Sequence, residues 1–139
     1  MSELALRRRL FDALDAIPLI DPHSHIDPLR PASTTLADIL GYHYYTELAH
    51  SAGMARERIE EPGLAPRDKV ARLVKALAPL ENTIQYSWLI EILQTFFRFP
   101  DDRLTERNWE AAYEVSAQCM QTPRWSQQVL KQSGLEAVF

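Results

Sequence analysis

Ile17-Pro18-Leu19-Ile20-Asp21-Pro22-His23-Ser24-His25 is the stretch on which the fold turns. Pro18 ends whatever helix precedes it, because the residue before a proline is pushed out of the helical region. The apolar run that follows is too short for a helix, so residues 18–21 are expected to form a strand. Along a strand, i and i+2 point to the same face. His23 and His25 would then aim two imidazoles at one point, which suits a divalent metal, zinc first among them. Asp21 on the same face could orient one of the rings. Two turn histidines would spell the same letters, so the pattern is a motif hypothesis rather than a proof.

Upstream, Leu6, Leu10, Phe11, Leu14 and Ile17 recur at helical spacing, predicting an amphipathic helix over 3–16 capped by Ser2. Downstream, Pro28, Pro31, Ser33 and Thr34 mark a loop. Thr35 and Asp38 stand at capping-box spacing, so a helix or helix pair should run to about Ser51 and close at Gly53. Residues 55–66 read as a surface connection. Pro66 suits a first helical position, and Val70, Leu73, Val74 and Leu77 give that helix one apolar stripe ahead of Pro79. Asn82 is the expected cap of the next helix, with Ile84, Trp88, Ile92 and Phe96 as its core face. Thr105 and Thr122 are expected to cap two more. Trp88, Trp109 and Trp125 read as core, and Cys119 as a small buried hydrophobe.

The chain closes on Leu135-Glu136-Ala137-Val138-Phe139, which reads as a second strand over 135–139. The expectation is therefore mainly α: one unit over 1–139, with a first strand at 18–21, a helical region over 35–133 and the start of a second strand. Strands so far apart in sequence imply the first part of a larger α/β fold, and an uncovered edge invites self-association into a homo-oligomer.

Composition narrows the function classes. A net charge of −4, from 15 basic and 19 acidic residues, argues against a nucleic-acid coat, which needs a basic face. The single cysteine permits no internal disulfide and suggests a reducing compartment. Asp12 and Asp15 interrupt any apolar leader behind Arg7-Arg8-Arg9, and no apolar run approaches a membrane span. A cytoplasmic protein with no membrane and no nucleic-acid partner is expected. There is no Gly-rich phosphate loop and no Ser–His hydrolase elbow.

A second polar cluster lies in Gly41-Tyr42-His43-Tyr44-Tyr45-Thr46-Glu47-Leu48-Ala49-His50. On a helix His43, Glu47 and His50 share one face. Glu47-x-x-His50 also has the spacing of di-iron carboxylate bundles, but that scaffold needs a second such pair. A solvated polar face beside packed tyrosines is the plainer alternative.

With these segments in view, Ile20-Asp21-Pro22-His23-Ser24-His25-Ile26-Asp27-Pro28 resembles the first-strand His-x-His of the amidohydrolase superfamily. More narrowly, it resembles the uronate (glucuronate) isomerase family. Gly41-Tyr42-His43-Tyr44, ending at Ala52-Gly53-Met54, is similar to that family's Gly-Asp-His-Tyr stretch. Asn82-Thr83-Ile84-Gln85-Tyr86-Ser87-Trp88-Leu89 resembles its Asn-Pro-Leu-Tyr-His-Trp segment, and Leu130 to Val138 resembles the approach to its second strand. The resemblance implies a (β/α)8 TIM barrel with a helical insertion after strand 1. It implies aldose–ketose isomerisation of a small-molecule hexuronate such as glucuronate. By position His23 and His25 would be ligands of a divalent metal, zinc, while His43 and Tyr44 would contact substrate and assist proton transfer. Two departures stand out. Tyr42 replaces an Asp, and Tyr45-Thr46-Glu47 replaces Lys-Trp-Arg, with His50 at a later Arg position. A barrel of this type takes about 250 residues. The chain is therefore expected to be an N-terminal portion, inactive as an isomerase alone. A metal-dependent hydrolase of the same superfamily and a non-catalytic helical interaction domain are the alternatives.

Overall fold

The computed structural model describes residues 2–139. They fall into two groups, 2–32 with 126–139, and 33–125.

In the first group, α1 (Glu3–Asp15) starts where Ser2 Oγ accepts the Ala5 N–H at 3.3 Å. Ion pairs one turn apart, Glu3–Arg7 and Arg8–Asp12, support it from solvent. Its apolar stripe is present but uncovered, since no residue of α1 is buried. β1 (Leu19–Asp21) pairs in parallel with β2 (Leu135–Val138). Leu19 sits opposite Leu135, Ile20 opposite Ala137 and Asp21 opposite Val138, with an irregularity between Leu19 and Ile20. The Leu19 N–H donates to the Gly134 carbonyl at 2.9 Å, and the Phe139 N–H to the Asp21 carbonyl at 3.0 Å. α8 (Trp125–Gln132) leads into β2 through Gly134, whose φ of 66° lies in the left-handed region that glycine occupies without strain. The two expected strands thus form one parallel pair, the arrangement that requires a long crossover between them.

The group 33–125 holds the core. α2 (Leu36–Leu40) begins with a complete capping box. Thr35 Oγ1 accepts the Asp38 N–H, and the Asp38 carboxylate accepts the Thr35 N–H. α3 (His43–Ser51) follows directly. The expected surface connection contains a further turn of helix, α4 (Arg56–Ile59), whose Ile59 is buried. Arg72 holds this turn by bonding the Arg58 carbonyl at 2.7 Å and the Glu61 carboxylate at 2.5 Å. α5 (Pro66–Leu77) buries the predicted stripe of Val70, Leu73, Val74 and Leu77, and runs into a 3-10 turn at Ala78–Leu80.

α6 (Ile84–Phe97) departs from expectation in two ways. Thr83, not Asn82, is its cap, with Thr83 Oγ1 accepting the Tyr86 N–H. Its buried face is Tyr86, Leu89, Ile90, Leu93 and Phe97, whereas Ile84 and Trp88 are 58% and 43% exposed. The helix is apolar on more than one side, so periodicity alone allowed two stripes and packing chose the other. Tyr86 anchors that face: its hydroxyl donates to the Leu104 carbonyl and accepts the Leu104 N–H at 3.0 Å. α7 (Trp109–Met120) begins later than the expected Thr105 cap. Asn108 gathers the preceding turn, accepting from Thr105 N–H and Oγ1 and donating to Asp101 and the Arg103 carbonyl. Trp125 is buried against Phe97 and donates from Nε1 to the Ser33 carbonyl. Trp109 is half-buried, stacked beneath Arg67. Cys119 is half-buried rather than buried. No helix among the described residues is long and apolar enough to cross a membrane.

Candidate functional site

The regular strand stops at Asp21, so His23 and His25 are positioned by a turn rather than by strand alternation. Pro22 has no N–H to extend the ladder. Short polar side chains then fold the loop on itself. Asp21 Oδ1 accepts the His23 N–H at 3.1 Å, Ser24 Oγ accepts the Ile26 N–H at 3.0 Å, and Asp27 Oδ1 accepts the Leu29 N–H at 2.9 Å. Asp21 therefore supports the His23 backbone, where the sequence suggested support of an imidazole. The two rings nevertheless stand together, their centroids 5.0 Å apart and edge to face at 87°. Both side chains face solvent just past the carboxyl end of β1.

Two imidazoles bound through nitrogen to one tetrahedral zinc hold their centroids about 5 Å apart, given Zn–N near 2.0–2.1 Å. The His23–His25 separation is of that size, with the rings edge to face. A zinc site of the catalytic kind uses three protein ligands. No group of three His, Cys, Asp or Glu side chains able to hold a metal occurs among the described residues.

The second cluster opens α3. Tyr42, in extended conformation, precedes the helix, and His43 and Tyr44 form its first turn. Ring centroids lie 4.3 Å apart for Tyr42–His43, 4.4 Å for His43–Tyr44 and 5.1 Å for Tyr42–Tyr44. Trp88 of α6 joins them at 6.1 Å from Tyr44. Trp88, expected in the core, thus belongs to an open aromatic surface in which it and Tyr44 are each 43% exposed. Tyr45, one residue on, points the other way and is buried, which pushes its phenol up to about 12. His50 ends the helix: its Nδ1 lies 2.8 Å from the Met54 carbonyl oxygen, so that nitrogen closes a turn. One neighbour of the segment had no signal in the sequence. Lys69, from α5, lies over Gly41.

A separate open cleft of about 650 Å³ is lined by Glu81, Tyr86, Ile90, Glu91, Asp102 and Arg103 among others, and includes none of these expected site residues.

The chain is thus a mainly helical protein with a small parallel strand pair, and it carries two imidazoles past the end of its first strand. No family model matches it. It is similar to a uronate isomerase of Nostoc punctiforme, with 28% identity over 138 aligned positions that take in 90% of this chain. The chain spans 29% of that relative's length.

Proposed function

We propose that this chain contributes the opening part of a (β/α)8 barrel that isomerises a hexuronate such as glucuronate between its aldose and ketose forms. The observation that carries the reading is the pair of imidazoles 5.0 Å apart directly after a parallel strand. The similarity to the Nostoc enzyme supports it.

The reaction moves the C2 proton to C1 while a hydroxyl proton passes from O2 to O1. Atoms and electrons balance without an external oxidant or reductant. His43 and Tyr44 are the groups proposed to hold and hand on these protons, being adjacent, open to solvent and of types that serve as acid and base. His23 and His25 would hold a divalent ion, zinc by preference for imidazole. Such an ion would stabilise negative charge on a substrate oxygen. With two ligands in place of three, the chain alone is proposed to bind zinc weakly and not to turn over glucuronate.

Calorimetric zinc titration of the purified chain, followed by NMR with glucuronate, tests the reading. One zinc per chain should be taken up and lost in the His23→Ala/His25→Ala double variant, and glucuronate should shift the ring resonances of His43 and Tyr44. Zinc uptake unchanged in the double variant, or rings unmoved by glucuronate, would reject the proposal. Ring shifts from an amide or ester but not from a hexuronate would favour a hydrolase.

A further inference from the structure

We propose that Lys69 is the residue that recognises the substrate carboxylate, reaching from α5 to the Gly41–Tyr44 segment. The proposal rests on the hexuronate reading above and names the group that would distinguish an acid sugar from a neutral one.

α3 itself carries no Lys or Arg. A cation for this aromatic surface must therefore come from another element. Lys69 stands in the first turn of α5, half-buried, with its backbone N–H donating to the Ala65 carbonyl. Its side chain lies across Gly41. A Cβ at position 41 would overlap Lys69 Nζ, come within 3.0 Å of Lys69 Cε and meet the Ala37 carbonyl oxygen at 2.6 Å. Gly41 has φ −80° and ψ −5°, which any residue adopts, so glycine is required here for close approach and not for backbone freedom. The missing side chain is what lets the ammonium group lie beside the residue that leads into Tyr42 and His43.

The charge of Lys69 is not used within the fold. Among the described residues it makes no ion pair. Asp38, three residues before Gly41, accepts instead from Thr34 and Thr35. Arg67, two residues before Lys69, is by contrast bound to Glu110 and Glu114. The Lys69 ammonium is thus not committed to a carboxylate of the fold, and a charge-assisted bond to a ligand carboxylate would be among the stronger polar contacts. Tyr44 and Trp88 add exposed ring faces on which the C–H face of a pyranose can rest. Gly41, beside the Lys69 ammonium, precedes Tyr44 by three residues, so a cation and exposed rings are carried by one short segment and its neighbour, the groups that a sugar acid needs.

NMR titrations with glucuronate and with glucose, which lacks the carboxylate, test this on the chain as it is. Glucuronate should shift both the Lys69 Cε resonance and the Tyr44 ring. Glucose should shift the Tyr44 ring alone and bind roughly tenfold more weakly. Lys69→Gln should bring glucuronate down to the affinity of glucose and leave glucose unchanged, and Lys69→Arg should restore most of the difference. Equal affinities for the two sugars, unaltered by Lys69→Gln while Tyr44 still shifts, would overturn the role of Lys69 and leave the hexuronate reading standing. A Tyr44 ring unmoved by either sugar would overturn both. A Lys69 shift without a Tyr44 shift would mark nonspecific anion pairing and reject the proposal.

Discussion

α1 and α5 were built by the same local rules and ended in opposite environments. Both carry an apolar stripe at helical spacing and both have well-formed starts, a serine cap in one and a first-position proline in the other. α5 buries Val70, Leu73, Val74 and Leu77 to 2% exposure or less. α1 leaves Leu4, Leu10, Phe11 and Leu14 at 77, 52, 60 and 68%. The strand pair behaves like α1, with Leu19 and Ile20 more than half exposed. A two-stranded ribbon and an uncovered helix gain little from burial, and such elements are marginal on their own. A stripe shows where apolar residues line up, while its energetic value depends on what covers it.

The largest test of that contrast is truncation in each region. Leu89→Ala or Leu93→Ala, at sites with no exposure, should cost about 3 kcal/mol in urea unfolding. Leu10→Ala, half exposed on α1, should cost less than about 0.5 kcal/mol. Equal losses would break the distinction. A smaller effect sharpens it within the core. Tyr86→Phe removes the hydroxyl that both donates to and accepts from Leu104, leaving a buried N–H unpaired, and should cost about 1–2 kcal/mol. A loss within error would mean that the 33–125 core does not depend on this anchor.

The smallest effect concerns the capping box at the head of α2. Burial acts to raise the Asp38 carboxyl, but the hydrogen bonds from Thr34 and Thr35 outweigh it and hold the group below its ordinary value of 3.8. A carboxyl depressed in the folded state contributes stability that is present above that ordinary value and lost as the pH falls through its lower folded value. Asp38→Asn should therefore cost about 1 kcal/mol at neutral pH and shallow the acid limb of the stability curve. An unchanged acid limb would show that the cap is not coupled to protonation. α1, whose serine cap does not titrate in this range, should show no such slope.

Much of the framework was legible because it is set by neighbours in sequence. Ser2, the Thr35–Asp38 pair, Pro66 and the glycines at 53 and 134 each act within a few residues, through one cap or one backbone angle, and each marks an element end in the structure. The apolar runs marked the first and last strands, while their pairing in parallel is set by the tertiary structure. α6 departs from its expected face because two stripes satisfy the same period. Only contact with Leu104 and the surrounding core selects Tyr86 over Ile84 and turns Trp88 outward. At the candidate site the residue types were readable, but their setting was not. His23 and His25 meet through Asp21 and Ser24 turns rather than through a continuing strand.

The sequence by itself determined the helical character, most of the element ends and the two histidine-bearing segments, because caps, prolines and periodicity act over a turn or less. The tertiary structure decided which stripe of α6 is covered and which ammonium lies over Gly41. Those outcomes depend on packing between elements distant along the chain, where apolar burial and steric fit, not local propensity, set the energy.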